Sequence, residues 1–199
     1  MKKDFLEAIA DRRSYYGISK ETVAGDERIE EIVRHVVKHT PSAFNSQSTR
    51  VILLLNEQHD RLWDITMDAL RKIMPPEQFG ATESKINSFK SGYGTILFFD
   101  DTDVTKALQA QFALYKDNFP VWAQQSNGMN QFALWTALEI EGFGVSLQHY
   151  NELIEAAVKE EWSIPDAWQL IAQMPFGKPS EQPGEKEFQP LEGRIRVLK

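Results

Sequence analysis

The chain has 199 residues, of which 42% are hydrophobic and 26% charged, enough for one globular domain with a substantial core. Its net charge of -7 argues against nucleic acid or an anionic membrane as a partner, because both bind basic surfaces. The absence of cysteine excludes disulfides, thiolate metal sites and a cysteine nucleophile.

The N-terminal residues are basic, but no apolar run of signal-peptide length follows them. No apolar stretch of about 18 residues exists in the sequence, so we expect no membrane-spanning helix. Together with the absence of cysteine, which fits a reducing compartment, these features predict a cytoplasmic protein.

Helical and strand patterns alternate along the chain. The apolar spacing that starts at Phe5 predicts a short first helix, and Gly17 marks its end or the following turn. A longer amphipathic helix begins at Asp26 and must end before Pro41, because a residue that precedes proline avoids helical geometry. The later predicted elements are a buried strand over 50–56, a helix over 58–74, a helix with flexible ends within 75–94, a buried strand over 95–101, helices over 104–118 and 121–141, a short strand over 145–150, a helix over 151–161 and a strand over 168–176.

The C-terminal segment 177–199 is a polar tail rich in proline and glycine, which cannot fold alone. It closes with the alternating sequence RIRVL, which is typical of a strand. Because no internal repeat and no interdomain linker is visible, we predict one α+β domain over 1–199. Its tail is expected to dock on a sheet edge, with a partner subunit's edge as one possibility.

The first candidate site is Arg12-Arg13-Ser14, followed by Tyr15 and Tyr16. The planar donor fork of arginine matches phosphate, serine adds a hydroxyl donor, and aromatic rings offer a floor for a flat ligand. The alternative is a cationic helix terminus that interacts with the helix dipole. Because arginine pairs are common on surfaces, that alternative stays open at this point.

The second candidate is the loop HTPSAFNSQSTR over 39–50, which carries Pro41, Ser42, Asn45 and Gln47. Side-chain amides offer both donors and acceptors, so they can read an edge that alternates N–H and C=O, as in a flavin or a base. An ordinary polar connection is the alternative, although this loop is longer than such connections usually are.

The third candidate is GFGVSLQHYN over 142–151, whose glycines allow close backbone approach to a ligand. Gly142 also suits a helix C-cap, while Gln148 and His149 remain candidate ligand contacts. Other chemistries find no support in the sequence. The histidines lack zinc-site spacing, and the GxGxxG, P-loop and GxSxG fingerprints are absent.

Four motifs follow one another along the chain: RRS after a short helix, PSAFNSQ before a buried strand, GFGVSLQ after a long apolar helix, and MPFGKP at the end of a late strand. Their order resembles the nitroreductase family of flavin enzymes over nearly the whole chain. The compact length and the NSQ-S-R run are similar to the branch that contains the fungal fatty-acid-repression-mutant proteins and the bacterial copper-induced nitroreductases.

The resemblance implies an α/β sandwich, with a mixed, mainly antiparallel sheet flanked by helices. It also implies an intertwined homodimer with C-terminal strand exchange and FMN at the interface. NADH or NADPH would be the electron donor for two-electron, ping-pong reduction of nitroaromatics or quinones. The chemistry would occur at flavin N5, so no catalytic protein residue is expected. Two alternatives stay open: a flavin-binding sensor or regulatory dimer with little turnover, and a non-enzymatic dimeric binding protein.

The resemblance also implies a set of FMN contacts. They are Arg12, Arg13, Ser14, Tyr16, Pro41, Ser42, Asn45, Gln47, Leu147, Gln148, His149 and Lys186. Two positions depart from the family pattern. Tyr16 stands where many relatives carry a cation near the flavin N1/O2 edge, and Lys85 and Lys90 are candidates to replace that charge. Phe188 stands where the late Lys-x-Arg pair, which begins at Lys186, would have its arginine.

Overall fold

In the computed structural model, which describes residues 3–199, seven α-helices surround one five-stranded sheet. The helices are α1 (Phe5–Asp11), α2 (Asp26–His39), α3 (Glu57–Ile73), α4 (Phe79–Lys90), α5 (Thr102–Gln111), α6 (Phe119–Ile140) and α7 (Asn151–Glu161). The strands are β1 (Ile18–Ser19), β2 (Thr49–Leu55), β3 (Gly94–Asp101), β4 (Gly144–Val145) and β5 (Trp168–Pro179). The predicted α+β class is confirmed.

The sheet is antiparallel in the order β1-β5-β3-β2, with β4 beside β5. One isolated parallel bridge, between Ser14 and Val145, makes it mixed as predicted. Among the described residues β2 pairs only with β3, so its outer edge is unpaired. An unpaired edge exposes a row of backbone donors and acceptors that another strand can use.

The alternating side chains of β3 build a core on each face of the sheet. Leu97 and Phe99 join a cluster with α3, α4 and α7. Ile96 and Phe98 join a second cluster with α2 and α6. Because both faces are covered, β3 is buried along nearly its whole length, as its continuous apolar sequence predicts. None of the helices in residues 3–199 combines the length and apolar character that a membrane span needs.

Three sequence predictions need correction, and the first is a single helix over 104–118. Helix α5 ends at Gln111, and a 3₁₀ turn over Ala113–Tyr115 precedes α6. Phe112 leaves helical geometry with φ -124° and ψ 66°, and its ring packs 4.9 Å from that of Phe44. Tertiary packing of this aromatic side chain therefore accompanies the break in the predicted helix.

The second correction concerns the strand predicted over 145–150, since β4 covers only Gly144–Val145. The chain continues beside β5, where Ser146 donates its N–H to the carbonyl of Pro175. Proline has no N–H to return, so the ladder is interrupted there. Pairing resumes only as an isolated bridge between Gln148 and Gln173.

The third correction concerns the RIRVL segment, which forms no strand within this chain. The backbone N–H groups of Arg194 and Ile195 both bond the carbonyl of Leu191, which makes a turn. A strand requires a neighbouring backbone, and this segment pairs with no strand of the chain's own sheet. Docking of the tail on a partner subunit stays a prediction.

Candidate functional site

The first group of predicted residues follows α1, which begins with a capping box between Asp4 and Glu7. Arg12 is the C-cap, where the chain leaves the helix. Ser14 then bridges Val145, and the segment becomes attached to β4 beside the sheet. The arginine-bearing segment is therefore fixed at both ends, by a capped helix and by a strand.

This segment forms one wall of a cleft of about 520 Å³, here called the arginine cleft. Residues 12–16 line one side of it, and residues 181–186 of the tail line the other. Arg13 donates a hydrogen bond to the carbonyl of Gly184, which connects the two walls. The structure thus brings Arg12, Arg13, Ser14 and Tyr16 together with Lys186 around one cleft, while their role at a cofactor stays a prediction.

The arginine wall of this cleft carries positive charge without an internal counter-ion. Among residues 3–199, neither Arg12 nor Arg13 forms an ion pair with a carboxylate. Burial, and secondly the charge of Arg13, lower the pKa of Arg12, although an arginine remains protonated at neutral pH. Glu181, Glu185 and Lys186 line the opposite wall, so the cleft is basic on one side and of mixed charge on the other.

The second group lies on the loop between α2 and β2. Three of its non-glycine residues have left-handed backbone angles: Phe44 at φ 56°, Asn45 at 51° and Gln47 at 49°. The N–H of Gln47 donates to Oγ of Ser42 at 2.9 Å, which closes the loop. Left-handed geometry costs about 1–2 kcal/mol per residue, so other contacts must offset the strain.

The ring of Phe44 supplies such contacts. It packs 4.9 Å from the ring of Phe112 and 5.3 Å from that of Phe119, both measured between centroids. It also stacks on Trp122 at 5.9 Å and 20°, and lies 6.0 Å from Tyr115. These aromatic contacts, each worth about 0.5–1.5 kcal/mol, anchor the strained loop to the start of α6.

This loop borders a second, larger cleft of about 990 Å³, here called the sheet-edge cleft. Ser42 and Gln47 line it, while Pro41 and Asn45 are exposed on the same loop. Its aliphatic lining comes from one face of α2 and of the edge strand β2. Those side chains are Val33, Val37, Val51, Leu53 and Leu55.

The two clefts share no lining residue. The arginine cleft lies beside β4, which pairs with β5, whereas the loop precedes β2 at the far edge of the sheet. One chain therefore presents the predicted site residues as two separate groups.

A model of the nitroreductase family matches residues 9–178. The chain belongs to the nitroreductase family. The yeast nitroreductase FRM2 (Saccharomyces cerevisiae) is 34% identical over 187 residues, covering 93% of each chain. Nitroreductase CinD from Lactococcus lactis, solved in complex with chloramphenicol, is 39% identical, with a TM-score of 0.90, and covers 98% of this chain and 100% of its own. The same enzyme in complex with 4-nitrophenol is 42% identical, with a TM-score of 0.86 and the same coverage.

A structure from Desulfovibrio desulfuricans, solved in complex with FMN, has a TM-score of 0.71 at 18% identity, with coverage of 100% of this chain and 99% of its own. At that identity the likeness establishes the fold alone. The family match and the closer relatives make this chain a nitroreductase-type oxidoreductase.

In this nitroreductase-family chain, the third predicted group lines neither cleft. Gln148 is 7% exposed, and its amide donates to Oγ of Ser146 at 3.1 Å. Leu147 packs partly buried against the core shared by α2 and α6, and His149 is exposed. The role of these three residues at a ligand stays a prediction.

Tyr16 is 52% exposed at the edge of the arginine cleft. Its ring centroid lies 6.3 Å from that of Phe89, and the ammonium of Lys85 lies 6.0 Å from the same Phe89 ring. Lys90 instead pairs with Asp64 at 2.5 Å. Of the two lysines considered as replacements for the missing cation, Lys85 is therefore the one that contacts the same ring as Tyr16 and forms no ion pair with a carboxylate among residues 3–199.

Sequence reasoning missed two aromatic contacts next to the candidate site. Trp135 lies under the guanidinium of Arg12, and Phe44 anchors the loop of Asn45 and Gln47. Tryptophan in a long apolar helix is typical of core, and nothing near Arg12 in the sequence points to position 135. The left-handed conformation of Phe44 also has no sequence signal, because glycine and asparagine are the usual residues there.

Proposed function

We propose that this chain is an FMN-dependent oxidoreductase that reduces nitroaromatics or quinones, with NADH or NADPH as the electron donor. The observation that carries the proposal is the convergence of Arg12, Arg13, Ser14 and Lys186 on one cleft. Guanidinium, ammonium and hydroxyl donors, with no carboxylate paired to either arginine, fit a phosphate monoester. When bound, FMN supplies two-electron hydride chemistry, which links the donor and the acceptor in ping-pong order.

The loop residues fit the other end of such a cofactor. The amides of Asn45 and Gln47 offer donors and acceptors to a flavin ring edge, and both side chains are exposed. Ser42 accepts the N–H of Gln47 and so fixes the shape of the loop. Because the loop and the arginine cleft lie apart within one chain, we propose that each site combines the arginine cleft of one protomer with the loop of its partner.

The sheet edge supports this homodimer. The outer edge of β2 is unpaired among the described residues, and its face over Val51, Leu53 and Leu55 is apolar. The tail exposes Ile195 and Val197, which alternate with arginines. We propose that the tail of one protomer adds a strand to β2 of the other, which would satisfy both the strand pattern and the edge.

The proposed acceptor class rests on the relatives. CinD has been solved in complex with chloramphenicol and with 4-nitrophenol, which are small aromatic ligands. The exposed ring of Phe44, in the same loop as Asn45 and Gln47, offers an apolar surface for such a ring. The absence of cysteine supports the cytoplasm as the proposed compartment.

The proposal is tested first by the visible spectrum of the purified protein and by FMN titration of the apoprotein. We expect bound FMN, and we expect Arg12→Ala to weaken FMN binding by about 1.5–3 kcal/mol, because it removes charge-assisted hydrogen bonds. Arg61→Ala is the matched control, since Arg61 pairs with Glu161 and lines neither cleft. A protein that neither contains nor binds FMN would exclude the proposal.

A turnover assay distinguishes the proposed enzyme from the flavin-binding sensor. Oxidation of NADH or NADPH by the holoprotein in the presence of a nitroaromatic or a quinone supports the enzyme. Flavin binding with negligible oxidation of either donor supports the sensor.

A further inference from the structure

The guanidinium of Arg12 lies over the ring of Trp135, with its central carbon 4.6 Å from the ring centroid. Trp135 belongs to α6 and is half-buried against the core that α6 shares with α2. Helix α1 packs on α6, so both partners of the contact are held by helices. The indole therefore forms a rigid support beneath Arg12.

This contact directs the hydrogen-bonding groups of Arg12. All N–H groups of a guanidinium lie in its plane, so a guanidinium that covers a ring keeps those donors free at its rim. Cation–π attraction strengthens when the cation is partly desolvated, and Arg12 is half-buried. The ring face thus holds the cation while its donors remain available to the arginine cleft.

Two nearby carboxylates are occupied by another cation. Asp11 directly precedes Arg12, and Glu139 lies one helical turn after Trp135 on α6. Lys3 forms ion pairs with both of them. Among residues 3–199 both carboxylates pair with Lys3 and neither pairs with Arg12, so no ion pair within the described chain neutralises Arg12.

We propose that Trp135 is a positioning residue that fixes Arg12 for a phosphate monoester, so that the protein prefers FMN over the phosphate-free flavin, riboflavin. The inference rests on the proposed function in that FMN is taken as the ligand of the arginine cleft. It goes further in naming the residue that sets the selectivity for the phosphate group.

The test is titration of the apoprotein with FMN and, separately, with riboflavin. Quenching of the flavin fluorescence measures binding in each titration. We expect Trp135→Leu to weaken FMN binding about 5- to 30-fold, the range of a partly desolvated cation–π contact, and to leave riboflavin binding unchanged. Trp135→Phe, which keeps an aromatic face, should lie between the wild type and Trp135→Leu. Trp162→Leu is the matched control, because Trp162 bonds Gln58 and lines neither cleft.

A double-mutant cycle shows whether Trp135 acts through Arg12. In the Arg12→Ala background, Trp135→Leu should cause no further loss of FMN affinity. Equal weakening of FMN and riboflavin, or a full additional loss in the Arg12→Ala background, would assign Trp135 a general packing role and overturn the inference. Unchanged FMN affinity in Trp135→Leu would overturn it as well.

A probe without flavin separates this inference from the proposed function. Inorganic phosphate should raise the thermal unfolding midpoint of the wild type, and this rise should be lost in Arg12→Ala and reduced in Trp135→Leu. If the wild type binds neither flavin but shows this phosphate pattern, the proposed function fails and the role of Trp135 stands. If the wild type binds neither flavin and phosphate also leaves its unfolding midpoint unchanged, both the proposed function and the role of Trp135 fail.

Discussion

The backbone N–H of Tyr15 donates a hydrogen bond to the carbonyl of Val145 at 2.9 Å. This bond ties the arginine-bearing segment to β4, so the first and third sequence motifs meet in space. Gly144 permits the approach, because a Cβ at that position would lie 3.0 Å from both Cβ and Cγ of Tyr15. The absence of a side chain at Gly144 therefore allows the arginine segment to lie against β4.

Replacing Gly144 with alanine should displace Tyr15 and the segment that precedes it. We expect Gly144→Ala to destabilise the fold by about 1–3 kcal/mol, as overpacking does, and to weaken FMN binding. Urea denaturation and flavin titration measure the two effects. Gly80→Ala is the control, since no atom lies within 4 Å of its added Cβ, and it should be neutral or stabilising by up to about 1 kcal/mol. Equal behaviour of the two variants would contradict the packing account.

His59 is a buried histidine whose hydrogen bonds define its neutral form. Trp63 donates its indole N–H to Oγ1 of Thr95, and that hydroxyl lies 2.8 Å from Nδ1 of His59. Nε2 lies 3.2 Å from the carbonyl of Lys90, so Nε2 carries the proton and Nδ1 accepts from Thr95. Burial lowers the pKa of His59 to about 4, against 6.5 for an exposed histidine.

The depressed pKa of His59 predicts a loss of stability in acid. Between pH 6.5 and about 4, the unfolded chain binds a proton at His59 that the folded protein does not. The free energy of unfolding should therefore be unaffected by this group above pH 6.5 and fall with decreasing pH, by up to about 3 kcal/mol near pH 4. His59→Gln should flatten this part of the profile of urea unfolding against pH. An unchanged slope in that variant would assign the acid sensitivity to other groups.

Two variants of Phe44 distinguish the stabilisation from its ring contacts from the cost of its left-handed backbone. Phe44→Ala removes the ring contacts and keeps a Cβ in the left-handed region, and we expect a loss of about 1–3 kcal/mol. Phe44→Gly removes the same contacts but tolerates positive φ, so its loss should be smaller by about 1 kcal/mol. Urea denaturation of both variants measures the difference. A glycine variant less stable than the alanine variant would mean that the left-handed geometry is not strained.

The proposed strand exchange depends on one face of the tail. Replacing Ile195 and Val197 together with aspartate should abolish the dimer, because their apolar side chains would lie beside Val51, Leu53 and Leu55 on the apolar face of the partner's sheet. Light scattering should then report a mass near 22.8 kDa in place of about twice that value. Replacing Arg194 and Arg196 together with glutamine is the control, since these residues alternate to the other face, and the dimer should persist. A dimeric aspartate variant would exclude this mode of association.

Local sequence signals predicted most of the fold. The helix that begins at Asp26 ends at His39 with Thr40 as its C-cap, because Pro41 excludes helical geometry at the residue before it. The strand predicted over 95–101 is observed as Gly94–Asp101, since a strand covered on both faces carries an unbroken apolar run. In both cases the deciding interactions lie within or directly beside the segment.

The features that the sequence did not reveal depend on contacts between distant segments. The strand over 145–150 is interrupted by Pro175 on β5, and the helix over 104–118 ends where Phe112 packs on Phe44. Likewise, Trp135 contacts Arg12 only because α1 packs on α6. The periodicity of a short sequence segment does not indicate which residues of a distant strand or helix will contact that segment.

The separation of the arginine cleft from the Ser42–Gln47 loop has a consequence for mixed populations of the protein. In the dimer proposed above, an Arg12→Ala homodimer and a Gln47→Ala homodimer each carry a defect in both sites. A mixed dimer gathers both defects into one site and leaves its other site with an intact arginine cleft and an intact loop. Co-expression of two poorly active variants should therefore restore activity by subunit complementation.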